Sequence, residues 1–281
     1  MHRHARMHPL DVWYSRVDAD EFVKEAKTSA TKKRWEQVEA EARKETSEHM
    51  APEITSVERG QMRFVDHPPL IHRESDLIRK HVLEMFRRYR ETLPEERRIL
   101  LDRFRVVDVA RKVVGVGSVG TRCAVVLLLA HKDDDPLLLQ FKEALPSVLE
   151  SYTGKTLYEN HGERVVTGQR MLQSASDVFL GWTRDDSGRD YYFRQLRDMK
   201  MKLDLSKMPK ADWFEYVEIC GRTLARAQAR AGDSARIAGY LGASDKFDAA
   251  LAKFATRYAD QAEQDFAALH KAIRSGRVKS Y

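Results

Sequence analysis

Three glycines spaced as GxGxxG, at Gly115, Gly117 and Gly120, lie in the stretch VVGVGSVGTR between Val113 and Arg122. A backbone without Cβ atoms folds tightly enough for successive N–H groups to close on an anion, and the same freedom serves any sharp turn. The charged groups downstream give the first reading its chemistry. Lys142, in LLLQFKEA, is a positive charge able to neutralise a phosphate, and Glu163, near the start of a later helical segment, is a carboxylate able to orient it. Ser118 adds a backbone amide to the turn. It is not read as a hydrolase nucleophile, because GxSxG needs glycine at 116, where Val116 stands. His2, His4 and His8 sit on a terminal segment and read as solvated side chains, so no metal site is expected. No catalytic acid or base stands out.

Two architectures use this glycine spacing. A dinucleotide fold needs a strand that is apolar on both faces before the glycines and a helix after them. Here the preceding segment VVDVARKVV carries Asp108, Arg111 and Lys112, and the following AVVLLLA has adjacent β-branched residues and no polar face. A glycine-rich hairpin of the protein kinase type needs a second strand, a turn, and a lysine on the third strand. The chain has that order. Along PLLLQFKE, Leu137, Leu139 and Phe141 alternate with Leu138, Gln140 and Lys142, so Lys142 does not share the face of Phe141. Arg122 and Gln140 depart from the apolar and small residues that kinases place at the corresponding points. The bland alternative keeps the glycines as a tight turn, Lys142 as a surface residue and Glu163 as a helix cap.

The elements that must position these residues follow from periodicity. Residues 1–105 read as charge-rich and helical: a weakly packed helix over 20–48 with Phe22, Val23, Trp35 and Val38, a break at HPPL, an amphipathic helix from Ser75 that Pro94 ends, and a short helix through Ile99. Residues 106–203 read as a sheet region. It holds three Val- and Leu-rich strands, a turn at HKDDD, a helix capped by Asn160 and running to Val178, and a hairpin turning at Asp185 to Gly188. Residues 204–281 read as helical, with Trp213, Val217, Cys220, Leu224 and Ala227 on one helix that Gly232 stops. A second helix, capped by Ser244, carries the stripe Phe247, Leu251, Phe254 and Tyr258. These elements predict an α+β fold with a small, mostly antiparallel sheet from 106 to 197, flanked by N-terminal and C-terminal helices.

Composition excludes several classes. In 281 residues, 42% hydrophobic and 33% charged, the longest apolar run is the Ala124 to Ala130 stretch, far short of the ~18 residues of a membrane span. The start MHRHARMHPLDVWY is basic but lacks the apolar core of a secretory signal, so a cytoplasmic protein with no membrane partner is expected. The net charge of +6 comes from 49 basic residues interleaved with 43 acidic ones, a pattern that gives no specific nucleic-acid stripe. The two cysteines, Cys123 and Cys220, sit in apolar contexts and read as buried thiols. No feature specifies an oligomeric state.

The segments DVARKVVGVGSVGTRC, LLLQFKEALPSVLE, GERVVTGQRMLQSASDVFLGW, LARAQARAGD and FATRYADQAEQDF closely resemble the bacterial domain-of-unknown-function family 2252 over residues 11–276. That family carries a GDxHxxNFG pattern and an acidic NDFDE motif, which resemble the catalytic loop and metal-binding aspartate of aminoglycoside-phosphotransferase-like kinases. Neither occurs here, so the chain is expected to start where the family's middle would be. Gln228 stands where the family has histidine in LARAHARSGD. The resemblance implies a circularly permuted kinase-like arrangement, with the catalytic motifs ahead of the glycine hairpin. The expected function is the nucleotide- or phosphate-binding portion of a kinase-like phosphotransferase, catalytically incomplete as the chain stands. Gly115, Gly117, Ser118, Gly120, Lys142 and Glu163 would form the site and ATP with Mg²⁺ the ligand. A non-catalytic interaction or structural module is the alternative, and a dinucleotide binder of the Rossmann type stands third.

Overall fold

In the computed structural model of the chain, residues 17–19, 21, 22, 25, 27, 114, 116–119, 131–134, 197–204, 280 and 281 lie outside the described residues. The strand Cys123–Ala130 (β5) is buried along seven of its eight residues, which accounts for a segment with no polar face. It lies in the middle of one six-stranded sheet with β4 (Phe104–Lys112) and β6 (Pro136–Glu143) beside it. Ile71–Arg73 (β3) pairs outside β4. Asp190–Gln195 (β8) pairs with β6, and Gly181–Arg184 (β7) closes the far edge, giving the order β3-β4-β5-β6-β8-β7. Every pairing is antiparallel.

Both faces of β5 are covered. On one side Ala124, Val126 and Leu128 join Leu137, Leu139 and Phe141 of β6 beneath a helix, Asp76–Glu91, that contributes Val82, Met85 and Tyr89. On the other side Val125, Leu127, Leu129 and Leu138 pack against Met50, Ala51 and Ile54 of the helix Ser47–Ile54 and against Phe64. The Ser47 hydroxyl accepts the buried Leu138 N–H at 3.1 Å, tying that helix to β6. Phe64 belongs to a separate hairpin, Thr55–Glu58 (β1) with Gln61–Phe64 (β2). Asp108, buried in β4, holds the hairpin down by accepting the Phe64 N–H at 2.9 Å and Arg63 Nη1 at 3.2 Å. A polar residue in the core is stable only when its acceptors are filled in this way.

The helices number in chain order α1 (His2–Ala5), α2 (Pro9–Tyr14), α3 (Ser29–Ala42), α4 (Ser47–Ile54), α5 (Asp76–Glu91), α6 (Glu95–Leu101), α7 (Glu150–Thr153), α8 (His161–Leu172), α9 (Lys210–Ala231), α10 (Ser234–Leu241) and α11 (Lys246–Arg274). Mixed helix and antiparallel strand make this an α+β fold, as the sequence predicts. Among the described residues no helix is long and apolar enough to cross a membrane.

Several boundaries differ from the reading of the sequence. The stretch expected to be helical before Ser75 contains β1, β2 and β3, and β3 extends the main sheet below residue 106. α8 stops at Leu172 instead of Val178, because the Asp177 carboxylate caps the Phe179 N–H at 2.8 Å and the Gln195 N–H at 2.6 Å, drawing the chain into β7 and β8. α11 begins at Lys246 with Asp245, not Ser244, at its N-cap. Its stripe faces solvent: Leu251, Phe254, Tyr258, Phe266 and Leu269 are all exposed. Cys123 is buried, but Cys220 is exposed, since its face of α9 lies uncovered. The turn expected at HKDDD falls largely outside the described residues.

Candidate functional site

β4 and β5 run antiparallel, so the glycine stretch joins two neighbouring strands of one sheet. This excludes the dinucleotide reading, which requires a helix where β5 stands and a crossover to a parallel partner. Gly115 has φ of +125° and Gly120 of +78°, a region that side-chain-bearing residues rarely adopt, so both ends of the turn need glycine. Gly117 and Ser118 lie outside the described residues. The turn is anchored where it re-enters the sheet. Arg122 N–H donates to Glu143 Oε2 at 3.0 Å and Glu143 N–H donates to the Arg122 carbonyl at 2.8 Å. Lys142 therefore sits one residue from the base of the glycine turn, paired in register with Cys123 on one side and Tyr192 on the other.

The pleat places Cys123, Lys142, Tyr192 and Trp182 on one side of the sheet as cross-strand neighbours. Asp190, two residues before Tyr192, shares that side. Its carboxylate accepts the His161 N–H at 2.8 Å, docking the start of α8 there. Asn160 caps the same helix: its Oδ1 accepts the Glu163 N–H at 3.1 Å and its Nδ2 donates to the Thr183 carbonyl at 3.3 Å. Lys142 and the helix that carries Glu163 thus meet on one side of the sheet, both side chains half-buried. Neither makes an ion pair within 4.0 Å among the described residues, so the two are neighbours in topology without being bonded to each other. The electrostatics register Lys142 nearby. Burial pushes the Cys123 thiol up to about 11, against the opposing pull of Lys142 and then Lys112.

Beneath the same end of the sheet, on its other side, α5 and the β7–β8 turn enclose a cleft of about 520 Å³. Its charged rim was not singled out from the sequence, because its members are scattered along the chain from Glu74 to Arg189. Arg111 pairs with Glu74 at 3.0 Å, while Arg122 and Arg189 approach the single carboxylate of Glu143 at 3.8 and 3.9 Å. Asp185 is buried at the base of the hairpin. It accepts the Ser187 and Arg189 N–H groups at 2.9 Å each, the Ser187 hydroxyl at 2.6 Å and the Tyr191 hydroxyl at 3.2 Å. Burial raises its carboxyl, and these donors outweigh burial and hold it below the usual range. Burial, then the charge of Asp185, pushes Tyr191 up to about 12. The rim cations thus face carboxylates of their own, and Asp185 is committed to the turn.

Lys142, beside the point where the glycine stretch re-enters the sheet, places a positive charge there. Gln228, on α9, is exposed. An antiparallel sheet covered on both faces, with a glycine turn feeding a lysine-bearing strand, places the molecule among mixed α+β proteins with a candidate anion site. The chain belongs to the family described as "Uncharacterized protein conserved in bacteria (DUF2252)", whose pattern it matches over residues 1–272. Comparison with curated proteins and with solved structures gives no match.

Proposed function

We propose that this chain is the nucleotide- or phosphate-binding portion of a kinase-like phosphotransferase that binds without turnover. The order of parts in one sheet carries the reading: glycine turn, second strand, Lys142 on the third strand, then the helix bearing Glu163 docked on the same side as Lys142. In kinases a glycine-rich loop covers the phosphates and a lysine on the third strand, oriented by a helix glutamate, neutralises them. In this chain the backbone amides of Gly115, Gly117, Ser118 and Gly120 would cradle the phosphates and Lys142 would neutralise them. Glu163 would orient Lys142 after a side-chain movement, since the two are not bonded as they stand. The nucleotide would bring its own Mg²⁺, because among the described residues no group of three His, Cys, Asp or Glu is placed to hold a metal. No turnover is expected, since the sequence contains neither GDxHxxNFG nor NDFDE.

The test is the melting temperature of the full chain and of Lys142→Ala with ATP and Mg²⁺. A ligand that binds only the folded state raises stability by about 2.7 kcal/mol at one hundred times its Kd. A rise in the parent that Lys142→Ala abolishes is the expected result, and no rise in the parent overturns it. The exposed stripe of α11, from Leu251 to Leu269, favours the second reading, an interaction module in which the glycines and Lys142 serve only the fold. That reading predicts that ATP and Mg²⁺ shift the melting of neither the parent nor Lys142→Ala.

A further inference from the structure

Away from the glycine turn, α1 and α2 lie against α9 and leave an open cleft of about 770 Å³. Its charge is one-sided. Arg3, His4, Arg16, Lys24, Arg222 and Arg226 line it, and Glu218 is the one carboxylate among its described lining residues. Arg226 is the most telling of these because it is 5% exposed. Its two terminal nitrogens donate to backbone carbonyls, Ser15 at 3.3 Å and Leu172 at 3.2 Å, and its Nε is buried with no hydrogen-bond partner. No carboxylate stands within 4.0 Å of its guanidinium among the described residues. The Nδ1 of His4, in the same cleft, is a second buried nitrogen without a partner.

The carbonyls that Arg226 touches close the C-terminal ends of α2 and α8, and their partial negative charge offsets part of its own. They leave the Nε unmet, and a buried donor without a partner is costly. The cleft's field is visible on His4. Burial, followed by the nearby amino terminus, Arg3 and Arg226, holds its imidazole below its usual range. Burial and then Arg230 likewise lower Arg226. Both groups are thus more costly to charge than they would be in water, and an anion would relieve both.

We propose that this cleft is an oxyanion site for a small molecule bearing a phosphate or diphosphate group, with Arg226 and His4 at its floor and Arg3 and Arg16 at its mouth. Several guanidinium groups lining one cleft favour a multiply charged, oxygen-rich anion, which accepts several charge-assisted hydrogen bonds at once. A concave site between helices suits a compact ligand better than a polymer backbone. This inference is independent of the glycine turn.

The probe is inorganic pyrophosphate added to the full chain, read by the NMR titration of the His4 imidazole, assigned with His4→Gln. Pyrophosphate should raise the His4 pKa, since an adjacent anion favours the imidazolium, and Arg16→Glu should weaken binding by about tenfold or more. Arg226→Gln should abolish the His4 response. Because Arg226 also joins two helix ends, the exposed Arg16→Glu provides the variant that keeps the fold. Lys142→Ala should leave the His4 response intact, which separates this site from the glycine turn. An unchanged His4 titration, equal binding by Arg16→Glu, or tighter binding of a short single-stranded oligonucleotide than of pyrophosphate would overturn the proposal.

Discussion

The ring of Tyr89 on α5 stacks on Phe193 of β8 with centroids 4.2 Å apart, and the Tyr89 hydroxyl donates to the Phe179 carbonyl at 2.7 Å. One side chain thus joins the helix, the sheet and the loop that leads into β7. Tyr89→Phe should keep the stack and leave the Phe179 carbonyl without its donor, costing about 1–3 kcal/mol. Tyr89→Ala should cost about 3–5 kcal/mol, as for other buried aromatic truncations. Urea unfolding of the two variants checks the order.

Gly181 lies against the same ring. A Cβ there would come within 2.6 Å of Tyr89 Cε2 and 2.8 Å of Thr92 Oγ1, so Gly181→Ala should destabilise by about 1–3 kcal/mol through overpacking. Combined with Tyr89→Ala, which opens that space, it should cost less than the sum of the single variants. A double-mutant cycle of unfolding free energies measures the difference.

Gly162, in the first turn of α8, is tighter still, with its missing Cβ 2.2 Å from the Tyr191 carbonyl oxygen. Backbone cannot yield as a side chain can. Gly162→Ala should lift the helix from β8, lower the melting temperature and, on the nucleotide reading, weaken ATP binding by displacing Glu163. Glu163→Gln should weaken ATP binding without the thermal penalty.

Asp212 on α9 is buried and accepts hydrogen bonds from Thr31 and Arg34 of α3, at 2.8 Å from Thr31 Oγ1 and from Arg34 Nη2. The bond from Arg34 comes first among the causes that lower its carboxyl below the ordinary 3.8, with Thr31 adding to it and burial opposing. A depressed folded-state value means that Asp212 stabilises the chain above the unfolded carboxylate range and loses that contribution as pH falls from there through the folded value. Asp212→Asn should therefore melt lower than the parent at pH 7, with the gap narrowing below about pH 4. Melting curves across that range test the sign.

The two thiols should part company under a thiol reagent. Cys220 is exposed and should be modified in the native chain, whereas burial holds Cys123 at about 11 and out of reach. One equivalent should react before denaturant and a second only after it, counted by mass spectrometry.

Much of this architecture was legible in the sequence. Ser75 before a periodic run and Pro94 after it delimit α5, whose N-cap is Ser75. The alternation in PLLLQFKE assigns its two faces correctly, with Leu137, Leu139 and Phe141 in one core and Leu138 in the other. Asp185 to Gly188 turns the β7–β8 hairpin as its residue types require, with Gly188 at φ of +83°. These signals are local, and local backbone preference is what a linear sequence records.

What the sequence left open depends on neighbours that are remote in the chain. The apolar run of β5 announces burial on both faces, and only the tertiary structure decides that the covers are α5 on one side and α4 with Phe64 on the other. Val178 looks helical until Asp177 caps two N–H groups across a loop. Asp108 looks like a reason against a buried strand until the β1–β2 hairpin fills its acceptors. Nothing near Arg226 in sequence shows that its guanidinium is buried among carbonyls from α2 and α8, 211 and 54 residues away. The sequence alone determined the caps Ser75 and Asn160, the strands β4 to β6 and the β7–β8 turn, because those depend on dihedral preference and spacing, but not β1 to β3 or the end of α8. The tertiary structure alone decided which charges are paired and which are left unmet, because burial and long-range hydrogen bonding set that balance.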